Sequence, residues 1–292
     1  MLPEISKHRV SDDNDYQFSI VIPTWNNLDY LQLCLKSIRQ NSAFRHQIIV
    51  VVNEGSDGTL EWIQEAADMD YIHATENIGI CYGLNIARPL VRADYLLYLN
   101  DDMYLLPGWD VVLMNEIRDI GHTRFMLSGT MVEPVRSGNP CVVVKDFGQD
   151  LESFREEELL VNYRTLYRDD WSGSMWPPSL VPVDLWDLVG GLSIEFSPGM
   201  YSDPDFARKL WETGVRTFKG CGRALAYHFS SKSTGRIRKN NGRKLFLQKW
   251  GITSKTFTDK YLQLGAPYRG ALPEPHLGAS LMLLNRIKRV IS

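Results

Sequence analysis

The chain has 292 residues, 44% hydrophobic and 11% aromatic, which is enough apolar material for a large folded core and excludes a disordered polymer. Its 32 Lys and Arg against 35 Asp and Glu give a net charge of −3, so no basic surface marks it for nucleic acid, and a small molecule or a polar polymer is the expected partner. Cys34, Cys81, Cys141 and Cys221 lack the close spacing of a zinc or redox motif and read as buried, reduced thiols. No apolar run nears the roughly 20 residues that cross a bilayer, and the acidic start has no secretory pattern, so a cytoplasmic protein is expected.

In chain order, a polar leader over 1–16 precedes Phe18-Ser19-Ile20-Val21-Ile22, a mostly apolar run of the kind that forms a strand buried on both faces. Leu28, Leu31, Leu35 and Ile38 then recur at helical spacing, with Asn26 or Asn27 placed to cap and Asp29 in the first turn. The cycle repeats: a strand over Gln47–Val52, the turn-rich Asn53-Glu54-Gly55-Ser56-Asp57-Gly58, and a helix over Thr59–Ala67. A third cycle runs through Tyr71-Ile72-His73, the stretch Asn77–Ala87 and the strand Tyr95–Leu99, which stops at Asn100-Asp101-Asp102. Such alternation predicts a parallel sheet with right-handed crossovers. Three polar loops, after Ile22, Val52 and Leu99, therefore converge where ligands collect in open α/β sheets.

Beyond about residue 121 the alternation weakens. A turn at Ser137–Pro140, a charged helix over Glu152–Leu160 and a Trp-, Ser- and Pro-rich stretch over Trp171–Pro182 are expected. A helix over Asp203–Glu212, a strand over Arg223–Phe229 and a mobile basic loop over Ser230–Arg243 follow. The expected organisation is one domain with a nucleotide-binding half over 17–120, an acceptor-side half over 121–245 and a helical extension over 246–292. In that extension Leu281–Ile291 mixes apolar residues with Arg286, Lys288 and Arg289, which suits either packing onto the domain or a peripheral helix meeting anionic lipid.

Adjacent carboxylates after a buried strand disfavour joint ionisation unless something neutralises them. A divalent cation bound by Asp102 and a diphosphate would do so. An ordinary loop, with Asp101 capping the next helix, is the alternative reading. Asp203 has the same ambiguity, because it can serve as a base or as the cap of a helix with Pro204 at its first position. His228, at the end of an apolar strand, is a core residue or a ligand.

The order of Ile22-Pro23-Thr24-Trp25-Asn26, Val52-Asn53-Glu54-Gly55-Ser56-Asp57-Gly58-Thr59, Asn77-Ile78-Gly79 and Asn100-Asp101-Asp102 resembles that of family 2 glycosyltransferases. The likeness covers residues 17–118 and, more loosely, 188–236. It implies an α/β GT-A fold, with a mixed, mainly parallel central sheet flanked by helices and an acceptor-side extension. It also implies an inverting hexosyl transfer from a nucleotide-diphosphate sugar, with Mn²⁺ or Mg²⁺, to a saccharide or lipid-linked saccharide in cell-surface polysaccharide synthesis. Carried across, Pro23, Thr24 and Trp25 line the nucleotide pocket, and Glu54 accepts from a uracil or thymine N3–H, which favours UDP- or dTDP-sugars. Asn77, Gly79 and Asn85 approach the ribose and diphosphate, Asn100 and Asp101 support the donor, and Asp102 and His228 hold the metal. Asp203 is the general base, in a place where the family has Glu-Asp and this chain has Ser202-Asp203, and Arg236 closes over the diphosphate. Trp171, Trp176, Trp186, Tyr163 and Tyr167 are candidates for stacking on an acceptor sugar. Two rivals remain: a nucleotidyltransferase, although Pro23-Thr24-Trp25-Asn26-Asn27 lacks a glycine-rich basic phosphate loop, and a non-catalytic sugar-binding module of the same fold.

Overall fold

The computed structural model describes residues 3–11, 14–230 and 240–291. Its first half is a run of strand and helix units: β1 (Ile5–His8), β2 (Ser19–Trp25), α1 (Leu28–Asn41), β3 (Gln47–Asn53), α2 (Thr59–Ala66), β4 (Asp70–Ala74), α3 (Gly79–Ala87) and β5 (Tyr95–Tyr98). After the acidic turn come β6 (Met103–Leu105), α4 (Trp109–Ile120), β7 (Phe125–Glu133), β8 (Val143–Val144), α5 (Glu156–Asn162), β9 (Trp171–Ser172) and β10 (Ser179–Pro182). The chain continues through α6 (Val183–Val189), α7 (Ser202–Glu212), β11 (Thr217–His228), α8 (Gly242–Trp250), α9 (Ser254–Thr256) and α10 (Ala279–Ile291).

All strands join one sheet in the order β1-β4-β3-β2-β5-β10-β7-β11-β6, with β8 added to β7 and β9 to β11. β4, β3, β2, β5, β7 and β11 run the same way, while β10 lies antiparallel between β5 and β7. The sheet is thus mixed but mainly parallel. Successive β2 side chains point to opposite faces. Val21 joins a core with α3, α6 and α7, whereas Ile20 and Ile22 pack against α1, α2 and α4.

Four expectations need correction. The polar leader contains the edge strand β1, antiparallel to β4. Neither Asn26 nor Asn27 caps α1 with its side chain. Asp57 does so from the neighbouring loop, accepting from Leu28 N at 2.9 Å while also accepting from Thr59 N at the start of α2. The acidic turn opens a strand, β6, and α4 begins only after Gly108, so Asp101 caps no helix. The charged helix expected from Glu152 starts at Glu156.

Two strands decide the second half. β7 is buried along its whole length, and a Cβ at Gly129 would lie 2.8 Å from both Ala224 O and Pro178 Cγ. Only glycine lets β7 fit between its neighbours there. β11 shifts register against β7 between Cys221 and Leu225, and such bulges re-aim a strand. Its last turn of pairing, with β6, sets His228 opposite Met103 and so beside Asp102.

Candidate active site

A cleft of about 270 Å³ opens at the carboxyl ends of β2, β3 and β5. Pro23, Thr24, Trp25, Asn77, Gly79, Asn100, Asp101, Asp102 and His228 all line it, so nine of the residues singled out in the sequence meet in one place. Glu54 stands outside this lining. Its carboxylate accepts from Asn26 Nδ2 at 3.1 Å, and its carbonyl oxygen faces His73 Nε2 at 2.9 Å. Asn26 and Glu54 both sit at positive φ, 47° and 62°. Strain of this kind costs on the order of 1 kcal/mol per residue and persists where the surroundings over-determine the loop. Arg236 lies outside the described residues, as does most of the basic loop.

Asparagines that resemble donor contacts also hold the scaffold. Asn53 donates to Thr24 O at 3.0 Å and accepts from Ile78 N at 2.9 Å. Asn77 accepts from Gly79 N at 2.9 Å. Asn85 is occupied elsewhere, exchanging two hydrogen bonds with the Leu192 backbone. Gly79 has φ +74°, and a Cβ there would come within 2.8 Å of Pro198 Cα. That close approach brings the Pro198–Asp203 segment up to the cleft.

The acidic turn is buried. Asp101 is 8% exposed and accepts from Thr24 Oγ1 at 2.7 Å; Asp102 is 6% exposed. Asp102 Oδ1 stands 3.5 Å from His228 Nε2, and the other ring nitrogen, Nδ1, lies 3.0 Å from Glu133 Oε1. Burial opposes a charge on His228, but the two carboxylates outweigh it and raise its pKa to about 9. Burial likewise works against the Glu133 carboxylate, and the hydrogen bond to His228 reverses this and holds its pKa below the usual range. Asp102 and His228 lie close enough to share one ion, and carboxylate with imidazole is a donor set that Mn²⁺ accepts. Glu133 was not foreseen. It ends β7, a strand buried on both faces whose sequence gives no alternating pattern, and nothing local marks its side chain.

A second cavity, about 340 Å³, shares Ile80, Asn100, Pro198 and His228 with the cleft and is further lined by Glu133, Trp176, Met200 and Asp203. Asp203 is the second residue of α7, and Tyr201, not Asp203, is the N-cap. Among the described residues no hydrogen bond or ion pair reaches its carboxylate, and burial alone pushes its pKa up to about 7. Its neighbour Asp205 is the structural acid: fully buried, it accepts from Trp250 Nε1 at 2.8 Å and from Ser193 Oγ at 2.6 Å, and pairs with Lys249 at 2.9 Å. Ser202, at the position of the missing acid, donates to Gly199 O at 2.6 Å. Of the aromatic candidates only Trp176 faces this cavity. Trp171, Trp186 and Tyr163 are buried elsewhere, and Tyr167 lies beneath the Arg223 guanidinium.

A third cavity, about 290 Å³, lies at the other end of the sheet. There Arg39 pairs with Asp68 and Arg92 with Asp70, and none of the candidate residues lines it.

Residues 19–137 match the family model described as glycosyl transferase family 2. An uncharacterized glycosyltransferase of Bacillus subtilis (strain 168), YfnE, is 35% identical over 89 residues, which cover 29% of this chain and 23% of that protein. Less than a quarter of that relative is therefore spanned. Among solved structures, S. aureus TarS 1-349 in complex with UDP-GlcNAc aligns over 94% of this chain and 71% of its own, with TM-score 0.60 and 11% identity. GalNAc-T7 with UDP, GalNAc and Mn²⁺ aligns over 79% of this chain and 45% of its own, with TM-score 0.55 and 12% identity. Motif order, sheet topology and these matches agree: residues 19–137 are similar to glycosyl transferase family 2, and the fold is GT-A.

Proposed function

We propose that the chain is an inverting, metal-dependent glycosyltransferase that moves a hexosyl group from a nucleotide-diphosphate sugar to a hydroxyl of a saccharide or lipid-linked saccharide. The observation that carries this reading is the pair of cavities with a common wall. Asp102 stands in one, Asp203 in the other and His228 on the wall they share, as in-line displacement requires the leaving group and the base to be on opposite sides of the reacting carbon. The acceptor oxygen attacks the anomeric carbon as the bond to the diphosphate oxygen breaks. The hydroxyl proton passes to the Asp203 carboxylate, and the nucleoside diphosphate departs with the bonding electron pair. A base with a pKa near 7 is well matched to this task at neutral pH.

Asp102 and His228 would hold Mn²⁺ or Mg²⁺, which when bound neutralises charge on the diphosphate. Asp101, fixed by Thr24, and Asn100 support the donor, and Pro23, Thr24, Trp25, Asn77 and Gly79 form its walls. Glu54 reads the base. A UDP-sugar is favoured over a dTDP-sugar, because the solved structures of this fold named above hold UDP-GlcNAc or UDP. Cell-surface polysaccharide synthesis at the cytoplasmic side is the setting we assign. The first loop has no glycine-rich phosphate cradle, so a nucleotidyltransferase is not favoured. A non-catalytic module is not favoured either, because Asp203 is present, unpaired among the described residues, and faces the cavity.

The direct test is a thermal-shift screen of nucleotide-diphosphate sugars with and without Mn²⁺, since a ligand of the folded state raises apparent stability by mass action. UDP-sugars with Mn²⁺ are expected to give the largest shifts. Silence across every donor would sink the proposal. Glu133→Gln is expected to weaken Mn²⁺ binding by about 10- to 100-fold, because it removes the carboxylate that orients the His228 ring. Mn²⁺ titration followed by electron paramagnetic resonance measures this, and an unchanged affinity would deny Glu133 that role.

A further inference from the structure

α10 meets the rest of the fold with its polar side. At about 3.6 residues per turn, Leu283, Ile287 and Val290 fall on one face, and all three are exposed, Val290 by 86%. The side turned inward carries Asn285, only 2% exposed. Its Oδ1 accepts from Thr253 N at 3.1 Å and Thr256 Oγ1 at 3.2 Å, and its Nδ2 donates to Leu281 O at 3.0 Å. Among the described residues no α10 side chain joins any of the hydrophobic core clusters. A helix serving only to cover the domain would turn its apolar stripe inward. The clamp on Asn285 holds this stripe outward.

The charge around the stripe is one-sided. α10 contains Arg286, Lys288 and Arg289 and no acidic residue, and from residue 240 to 292 there are nine basic residues against two acidic ones, in a chain of net charge −3. We propose that α10 is an interfacial helix that lays Leu283, Ile287 and Val290 into an anionic lipid surface, with its basic side chains at headgroup level. Its 13 residues make a helix of about 20 Å, shorter than the roughly 30 Å apolar core of a bilayer, so it lies in the surface plane. A recess of about 440 Å³ continues the acceptor cavity past Trp176 and Met200 to Ser254, Lys255 and Thr258. The neighbouring Thr253 and Thr256 are the residues that fasten α10. The lipid contact stands independently of the transferase reading. Delivery of a lipid-linked acceptor through this recess rests on that reading.

Sedimentation of the full chain with vesicles tests the contact. Binding is expected to vesicles containing phosphatidylglycerol, to be far weaker to pure phosphatidylcholine, and to fall as salt is raised. Leu283→Glu with Ile287→Glu should lower partitioning about tenfold or more. Arg286→Gln with Lys288→Gln and Arg289→Gln should lower it on the order of 100-fold. Thermal shifts by donor should be unaltered in both variants, which separates failure here from failure of the proposed activity. Equal binding to both vesicle types, or binding to neither, overturns the proposal without recourse to a variant. A concentration-dependent dimer in light scattering that Leu283→Glu dissolves, with no vesicle binding, gives the stripe to a second copy and also overturns it.

Discussion

Asp203→Asn is expected to lower kcat by about 10²- to 10⁴-fold, the usual worth of a positioned base, with little change in donor affinity because Asp203 lines the cavity beyond the donor cleft. Wild-type turnover should rise as pH passes through about 7, where the half-buried Asp203 carboxyl loses its proton, and level off above. The variant should show no such step. Stability should move the opposite way. The folded pKa lies above the ordinary 3.8, so the fold prefers the protonated acid, and the penalty for the charged form grows from about pH 4 to about 7 and then stays constant. Asp203→Asn should therefore melt higher than wild type at pH 8, with the difference vanishing toward pH 4. A kcat profile together with melting curves at the two pH values checks both halves. Unchanged turnover in the variant removes Asp203 as the base.

The second large effect concerns the metal. Asp102→Ala is expected to abolish stimulation by Mn²⁺ and to lower turnover by about 10²-fold or more, as loss of several kcal/mol of charge stabilisation would do. His228 enters through its proton. With its pKa raised to about 9 by Asp102 and Glu133 against the effect of burial, the ring is an imidazolium at pH 7 and must release a proton to become a ligand. Mn²⁺ affinity measured with UDP present should thus increase about tenfold per pH unit below about 9, with one proton released on binding. Calorimetry in two buffers of different ionisation enthalpy reads that proton directly. Wild-type turnover indifferent to a chelator would remove the metal and leave His228 as a cation facing the diphosphate.

The convergence of the cleft residues was legible from the chain because their motifs lie at or shortly after the ends of short apolar runs. Such runs become parallel strands with little freedom of topology, and the loops after β2, β3, β4 and β5 then have only one edge on which to meet. Pro23, Thr24, Trp25, Asn77, Gly79, Asn100, Asp101 and Asp102 reach one cleft for that reason. Local signals misled where a neighbour competed. Asn26 and Asn27 have the chemistry of caps, yet Asp57, distant in sequence, takes the Leu28 N–H, while Asn26 ties down Glu54.

The amino-acid sequence by itself determined the strand and helix alternation, the family resemblance and the converging loops, because these depend on residue periodicity and turn chemistry over a few neighbours. Tertiary structure alone decided which acids face the cavities and which hold the fold. Asp203 and Asp205 look alike two positions apart, but the helix turns Asp205 onto Ser193, Lys249 and Trp250 and leaves Asp203 facing the cavity. The Asp102–His228–Glu133 cluster likewise depends on β6, β7 and β11 lying side by side with a register shift in β11. Pairings of that range leave no period in the chain, since they are fixed by how buried strands pack and not by what lies next to each residue.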